Sequence, residues 1–404
     1  MPVEVRPATP AEMEEYRRVA LSALVLSPRN VSPEAIQGVR PEMTLCAFVD
    51  GRLATAYAAW PLKMRINGGA VPTAGITYVG TLPYHRGQGL LREIIVRHFE
   101  LMYARGEQPL AALLASQAAI YHRFGYAVVS TRHTYQVEPR FIRFVHPAEE
   151  SAPPGTLTET GDADVLNRLY RSFCLQRSGY LHRGHAAWMN GVLRPAPSGA
   201  VLFRIVYEEN GEPLGYLVYT VEPRKVPDGR PWQQVFIRDL VWLSARAYAA
   251  LWGHLATFGL ASDIIWMRVP PDDPLPHLVL EPRCLNIGSA DGLLARIVDV
   301  ARALPLRDYG GEGAITFELM DGLCPWNAGR FRLETSSGGT DVRRTSQAAQ
   351  MRLPVDTLAM LLFGQISPSE ASAMGRMDVL EADAVPIWDR LMRTKYKPFC
   401  PDFF

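Results

Sequence analysis

Apolar and polar positions along this chain change period at a few sharp turn signals, and the changes divide it into three blocks. In the first, residues 4–8 alternate as a strand should, and Thr9-Pro10-Ala11-Glu12 carries a capping box with proline at the first helical position. The pattern predicts a helix to about Leu24 and a shorter one near residues 33–38. Apolar-rich runs over 44–50 and 52–60 flank Asp50-Gly51, a hairpin signal, and residues 63–66 are a further strand candidate. The apolar run 76–82 then stops at Pro83, which cannot continue a central strand. A turn with Arg86, Gly87 and Gly89 follows. Leu91, Ile94, Ile95, His98, Phe99 and Met102 then recur at helical spacing up to Gly106. Residues 110–116 read as a buried strand, 118–124 as a short helix, and 126–137 as a strand. Three or four strands precede the glycine turn, so the block is mixed α/β and not doubly wound.

Prolines, an acidic pair and Pro153-Pro154-Gly155 mark residues 138–160 as a linker. A second block repeats the order of hairpin, strand and helix: helix 162–175, strands 200–208 and 213–221 around Asn210-Gly211, strand 234–243 and helix 245–258. No glycine stands between its strand and helix, where the chain reads Asp239-Leu-Val-Trp242-Leu-Ser-Ala-Arg246. This suggests an internal duplication without the phosphate-type turn. From Arg296 the pattern changes again. Ile297, Val300, Ala301 and Leu304 make a helical stripe, followed by strands 313–319 and 330–334 around Cys324-Pro-Trp326-Asn327 and helices 354–363 and 385–391. The reading is α/β and α+β, with domains at 1–140, 141–294 and 295–404.

Composition narrows the function. At 404 residues the chain is long enough for two or three cores. A hydrophobic content of 48% and charged content of 21% fit a globular protein. No run reaches the roughly 18–20 apolar residues a membrane span needs, and the first residues lack a signal-peptide core. A formal net charge of +1 gives no electrostatic case for a nucleic-acid partner. The cysteines Cys46, Cys174, Cys284, Cys324 and Cys400 show no metal-ligand spacing, and read as reduced thiols of a cytoplasmic protein with no structural metal. The candidate chemistry lies at the strand, glycine turn and helix, where backbone N–H groups and the positive end of a helix dipole can hold phosphate.

His85-Arg-Gly-Gln-Gly-Leu-Leu-Arg92, followed by Ala115-Ser-Gln-Ala-Ala-Ile-Tyr-His-Arg-Phe-Gly-Tyr126, resembles the Eis-type N-acetyltransferases, a branch of the GNAT acetyltransferase superfamily. The resemblance covers the whole chain. It implies tandem GNAT-like domains, the first binding acetyl-CoA and the second lacking the cofactor motif, then a sterol-carrier-like α+β domain. Against the superfamily pattern Gln/Arg-x-x-Gly-x-Gly/Ala, this chain has Arg86-x-x-Gly89-x-Leu91; the departure at Leu91 is shared with the Eis branch. Gly87 and Gln88 stand where that branch often carries arginines, leaving backbone N–H groups, Arg86 and Arg92 for the pyrophosphate.

The resemblance further implies that Val79, Gly80 and Thr81 offer strand-edge groups to the pantetheine arm and acetyl carbonyl. Gly87, Gln88, Gly89, Leu90, Leu91 and Arg92 would surround the pyrophosphate, and Ser116 the pantetheine. Tyr121 would protonate the departing CoA thiolate; a phenol stays protonated at neutral pH. Tyr126, opening the next strand, suits packing. The tail Pro398-Phe-Cys-Pro-Asp-Phe-Phe404 is too apolar to be left in water. Family position-matching gives the Phe404 α-carboxylate the role of general base, and burial beside aromatic rings would raise its basicity. His85, His98 and His122 fit turn or helix positions better than a catalytic base. Asp239, Trp242, Trp326 and Asn327 suit packing and turns. The implied acceptor is an aminoglycoside- or lysine-type amine, although residues 21–38 hold Glu34 as their one acid beside Arg29. The implied assembly is a homo-hexamer. The alternative reading is a non-catalytic lipid or acyl-CoA carrier with a vestigial GNAT site.

Overall fold

The computed structural model describes residues 2–25, 38–146, 155–224 and 233–404. Arg29, Glu34, most of the helix expected near 33–38 and residues 147–154 of the expected linker lie outside the described residues. Two compact units form. One comprises Met1–Ser130, Gly292–Lys395 and Phe403–Phe404, the other Thr131–Asp291 and Tyr396–Asp402.

The first unit begins with β1 (Val3–Arg6) and a short 3-10 turn leading into α1 (Met13–Ala23). At that entry the Glu12 carboxylate accepts the Thr9 N–H at 2.8 Å, as the capping pattern predicts. Next come β2 (Cys46–Val49), β3 (Arg52–Ile66), β4 (Gly69–Thr81), α2 (Leu90–Arg105), β5 (Leu110–Leu114), α3 (Ala119–His122) and β6 (Ala127–Val128). Asp50-Gly51 and Asn67-Gly68 both take positive φ, the backbone of tight hairpin turns. The separate strand expected at 63–66 is instead the end of β3, because β4 pairs with β3 as far as Ile66↔Gly69.

Among the described residues the sheet runs β1-β2-β3-β4-β5, then Leu293–Ile297, then β6. Tyr16, Val19 and Ala20 of α1 cover one face with Phe48, Ala56 and Ala58. Ile94, Ile95 and Phe99 of α2 cover the other with Ala47, Ala74 and Leu113. Two expectations fail here. The strand expected over 126–137 is two strands, because β7 (Thr131–Val137) pairs in the second unit's sheet. The helical stripe expected from Ile297 fails in part: Ile297 ends a strand and Ala301 is exposed, while buried Val300 and Leu304 lie in the α-helix Val300–Ala303 and the 3-10 turn that follows it.

The same unit carries a five-stranded sheet ordered Gly339–Arg344, Gly329–Ser336, Gly313–Met320, Met351–Pro354 and Asp378–Val379. Val355–Phe363 and Ala384–Met392 are among its helices. Arg296 and Asp321, both fully buried, pair at 2.8 Å. Asn327 donates to the Ile297 and Val298 carbonyls and accepts from the Val300 N–H, so it shapes a turn.

In the second unit, Thr156–Glu159, Leu202–Glu209, Glu212–Pro223, Gln233–Trp242 and Ala261–Val269 follow one another across the sheet, with β7 and Gly288–Asp291 beyond. Helices Ala163–Phe173 and Ala245–Ala256 pack into separate clusters of this sheet's side chains. Gln233–Trp242 and Ala261–Val269 are parallel and pair only as far as Ile237↔Trp266. Where they part, Phe399 and Pro401 join Tyr170, Tyr180, Arg238 and Trp266 around a space of about 10 Å³. The tail segment fills that opening. Asp402 accepts from Arg183 Nε at 2.8 Å, and Arg183 also pairs with buried Asp239. The Phe399 N–H donates to the Ser178 carbonyl at 2.9 Å. The tail is built in.

Candidate active site

β4 and β5 are neighbours in the first sheet, yet they pair only at Thr73↔Leu110, Ala74↔Ala111 and Gly75↔Ala112. Past Gly75, β4 continues to Thr81 against β3, while β5 continues against Leu293–Ile297. The β5-side edge of residues 76–81 therefore lies beyond that ladder, available to hydrogen-bond an extended ligand as a strand would. Within this edge β4 bulges: Ala56 faces Gly80 and Ala58 faces Thr77, so Tyr78 and Val79 together oppose Tyr57. Tyr78 adopts φ +50°, a left-handed conformation unusual for an aromatic residue. The bulge breaks the regular backbone alternation at Tyr78 and Val79, beside the parted seam.

The expected cofactor residues lie at the end of β4, in the turn after it, in the first turn of α2 and in the loop after β5. Val79, Gly80 and Thr81 end β4. Gly80 is glycine because a Cβ there would stand 2.6 Å from the Ala23 Cβ, so α1 can approach the bulge. The Arg86 guanidinium donates from Nε to the Thr81 carbonyl at 3.1 Å and from its NH2 group to the Ala23 carbonyl at 3.2 Å. It ties the end of β4 to the end of α1 and keeps other donors for a ligand. Gly87 and Gly89 have φ of +78° and +82°, and a Cβ at either would meet open space. These glycines meet a backbone requirement and leave an uncrowded surface. Gly89 caps α2, and the N–H groups of Leu90, Leu91 and Arg92 in its first turn have no acceptor inside the helix. Leu90 is buried, whereas Gln88 and Arg92 are exposed.

Ser116 is exposed in the loop after β5. Beyond it, α3 presents Tyr121, half-buried, its ring 5.8 Å from Tyr126 in an edge-to-face arrangement. Burial pushes the Tyr121 phenol up to about 12, so it is protonated at neutral pH. Tyr126 is fully buried and packs, as its position suggested.

Phe404 lies at the seam. A Cβ on Gly75 would come within 3.0 Å of the Phe404 ring and 2.3 Å of Leu62 Cδ1, so both side chains rest on bare backbone at the last β4–β5 pair. By strand alternation this face is opposite the one on which Ala74 and Ile76 meet α2. The structure thus brings β4, the glycine turn, α3 and Phe404 into one unit.

The histidines have other partners. His98 Nδ1 is 2.7 Å from the Tyr57 hydroxyl, and burial lowers its pKa to about 4, leaving it neutral. His122 Nδ1 lies 3.0 Å from the Tyr126 carbonyl oxygen, and His85 stacks at a tilt on Tyr84. Sequence reading missed Gly75, the Tyr78 bulge and the Arg183–Asp402 anchor. The bulge left a trace in the non-alternating run Ile76-Thr-Tyr-Val79. Gly75 left none beyond being a glycine in a strand.

Known families match the same segments. A GNAT acetyltransferase domain matches residues 4–129, a second GNAT acetyltransferase domain 179–297, and a sterol carrier protein domain 300–401. N-acetyltransferase Eis of Mycobacterium tuberculosis is 32% identical over 333 residues, spanning 78% of this chain and 77% of that protein. The chain belongs to the Eis-type N-acetyltransferases. An uncharacterized N-acetyltransferase of Streptomyces avermitilis is 33% identical over 86% of this chain and 85% of its own length. Among solved structures, Eis1 of Mycobacterium abscessus superposes with a TM-score of 0.83 at 28% identity, covering 99% of this chain and 100% of that one. A GCN5-related N-acetyltransferase of Anabaena variabilis, at 22% identity and a TM-score of 0.86 over 100% of both chains, shares the fold. The Eis-type chain therefore has two GNAT domains and a sterol-carrier-like domain, and it is an N-acetyltransferase. Acetyl-CoA is the co-substrate of such enzymes, and the parted β4 edge with its uncrowded glycine turn suits an extended thioester arm ending in phosphates.

Proposed function

We propose that the chain transfers acetyl directly from acetyl-CoA to a primary amine of the aminoglycoside or lysine type at the seam beside β4. The observation that carries this reading is Phe404 resting on Gly75 where β4 and β5 part. Backbone groups of Val79, Gly80 and Thr81 hold the pantetheine arm, helped by Ser116. The turn from Arg86 through Gly87, Gln88, Gly89, Leu90 and Leu91 to Arg92 holds the pyrophosphate. Bound there, acetyl-CoA supplies an acetyl thioester.

The Phe404 α-carboxylate takes the proton that the amine loses as its nitrogen bonds to the acetyl carbon. Tyr121 gives its phenolic proton to the sulfur as the C–S bond breaks. A pKa of about 12 makes Tyr121 a poor acid toward a solvated thiolate. Desolvation in the same site raises the thiolate's basicity as well, which brings the pair closer. Holding amine and thioester together supplies several kcal/mol of rate enhancement on its own, up to about 7–11.

The functional domains are taken as 1–140, 141–294 and 295–404, working in a cytoplasmic homo-hexamer whose size sedimentation would report. A thiol-release assay with acetyl-CoA and a panel of aminoglycosides, lysine and simpler amines tests the activity. CoA release that depends on an amine supports it. No release with any amine, alongside lipid binding by the purified protein, would favour the carrier reading.

A further inference from the structure

A cavity of about 800 Å³ opens on the α2 side of the first sheet, away from the face on which Phe404 rests. Its volume falls in the range of about 300–1,000 Å³ typical of small-molecule sites. Its lining divides by chemistry. Val5, Met43, Leu45, Ala59, Leu101 and Met102 are in its apolar part. Methionines adapt to ligand shape through their flexible, polarisable side chains.

The uncharged polar side chains lining this space are Thr44, Tyr57, His98 and Gln108, and Tyr57 and His98 satisfy each other at 2.7 Å. His98 is uncharged at neutral pH because burial lowers its pKa to about 4. This polar pair therefore places no charge in the cavity and makes little demand on a ligand's polar groups.

The charged part of the lining is mostly cationic. Arg6, Arg40, Lys63, Arg97 and Arg105 line the cavity, against the carboxylates Glu42 and Glu107. Arg40 already pairs with Glu42 at 3.1 Å, and Arg6 with Glu12 at 2.8 Å. Lys63 and Arg105 are exposed, and Arg97 lies 3.7 Å from Glu100. Arg97, Leu101 and Arg105 recur every four residues, so one face of α2 shows the cavity a cation, an apolar side chain and a second cation. An apolar pocket edged by positive charge is complementary to a ligand with an apolar body and one anionic head.

We propose that this cavity is a second binding site, separate from the acetyl-transfer seam, for an amphipathic carboxylate with a linear apolar tail. The tail lies along Ala59, Leu101 and Met102, and the carboxylate meets Lys63, Arg97 and Arg105.

Isothermal titration of the full chain with sodium dodecanoate, and with dodecyltrimethylammonium as a head-group control, tests this. The expected result is one equivalent of dodecanoate bound, with the cationic analogue at least about tenfold weaker. Leu101→Trp, which places a bulky ring in the path of the tail, should weaken binding about tenfold or more. The surface double variant Lys63→Glu/Arg105→Glu, which leaves the core untouched, should weaken it about tenfold or more. Amine-dependent CoA release at saturating acetyl-CoA should persist in both variants, which also reports that they fold. The proposal is overturned by absence of dodecanoate binding to the native chain, by equal binding of the cationic analogue, or by native-like binding in the double variant.

Discussion

Two residues of the first unit bear most directly on the proposed chemistry. Tyr121 has its phenol raised to about 12 by burial, so it enters any reaction protonated. Replacing it with phenylalanine keeps the ring contact with Tyr126 and deletes only the proton donor. Tyr121→Phe should lower kcat for amine acetylation by about 10²-fold or more, the usual scale of general-acid catalysis. The dissociation constant for acetyl-CoA, measured by titration, should stay within a few-fold. Gly75 is the second such residue. Adding a methyl group there forces aside Leu62 and the Phe404 ring, which would sit 2.3 and 3.0 Å from it. Gly75→Ala should reduce kcat about 10- to 100-fold, since small misplacements of reacting groups are costly. Steady-state kinetics with an active amine would check it, and an unchanged kcat would detach Phe404 from catalysis.

Among the elements, the β4-turn-α2 segment was the most legible in the sequence. Its cue was local: an apolar run ended by Pro83, glycines at the turn, then apolar residues at helical spacing. The glycines earn their place by geometry, since Gly89 takes φ +82° as the cap of α2. A side chain there has room but strains the backbone by about 1–2 kcal/mol. Gly89→Ala should therefore raise the KM for acetyl-CoA more than it lowers kcat, read from initial rates at varied acetyl-CoA. The strand expected over 126–137 was misread because alternation looks the same whichever sheet a strand joins. Residues 127–128 and 131–137 belong to different sheets, and their partners lie far along the chain. Long-range pairing also hid the tail's anchor, since Arg183 and Asp402 are 219 positions apart. The apolar composition of the tail signalled burial without naming its partner.

For the whole molecule, the duplication read from element order corresponds to two GNAT domains whose parallel strands both part midway. In the second unit Phe399 and Pro401 occupy the opening, leaving a space of about 10 Å³ where the strands part. Stability should carry a pH signature from the same unit. Asp273 is buried; its Oδ1 takes bonds from Tyr135, Tyr248 and the Leu275 N–H, while Oδ2 is buried without a partner. Burial pushes this carboxyl from 3.8 up to about 7. The folded state then keeps a proton that the unfolded chain releases. The contribution is fully present below about pH 4 and is lost as pH rises through about 7, by about 4 kcal/mol at most. Thermal unfolding followed across that range should show Asp273→Asn gaining on the native chain as pH rises; parallel curves would contradict the assignment.

The central claim is that the acetyl-transfer seam is completed by the carboxylate of Phe404. The most direct measurement is amine-dependent CoA release by the native chain and by a chain extended by two residues after Phe404, with acetyl-CoA binding titrated in both. We predict turnover at least about 10²-fold lower in the extended chain, with acetyl-CoA binding unchanged. Equal turnover in the two chains would contradict the account.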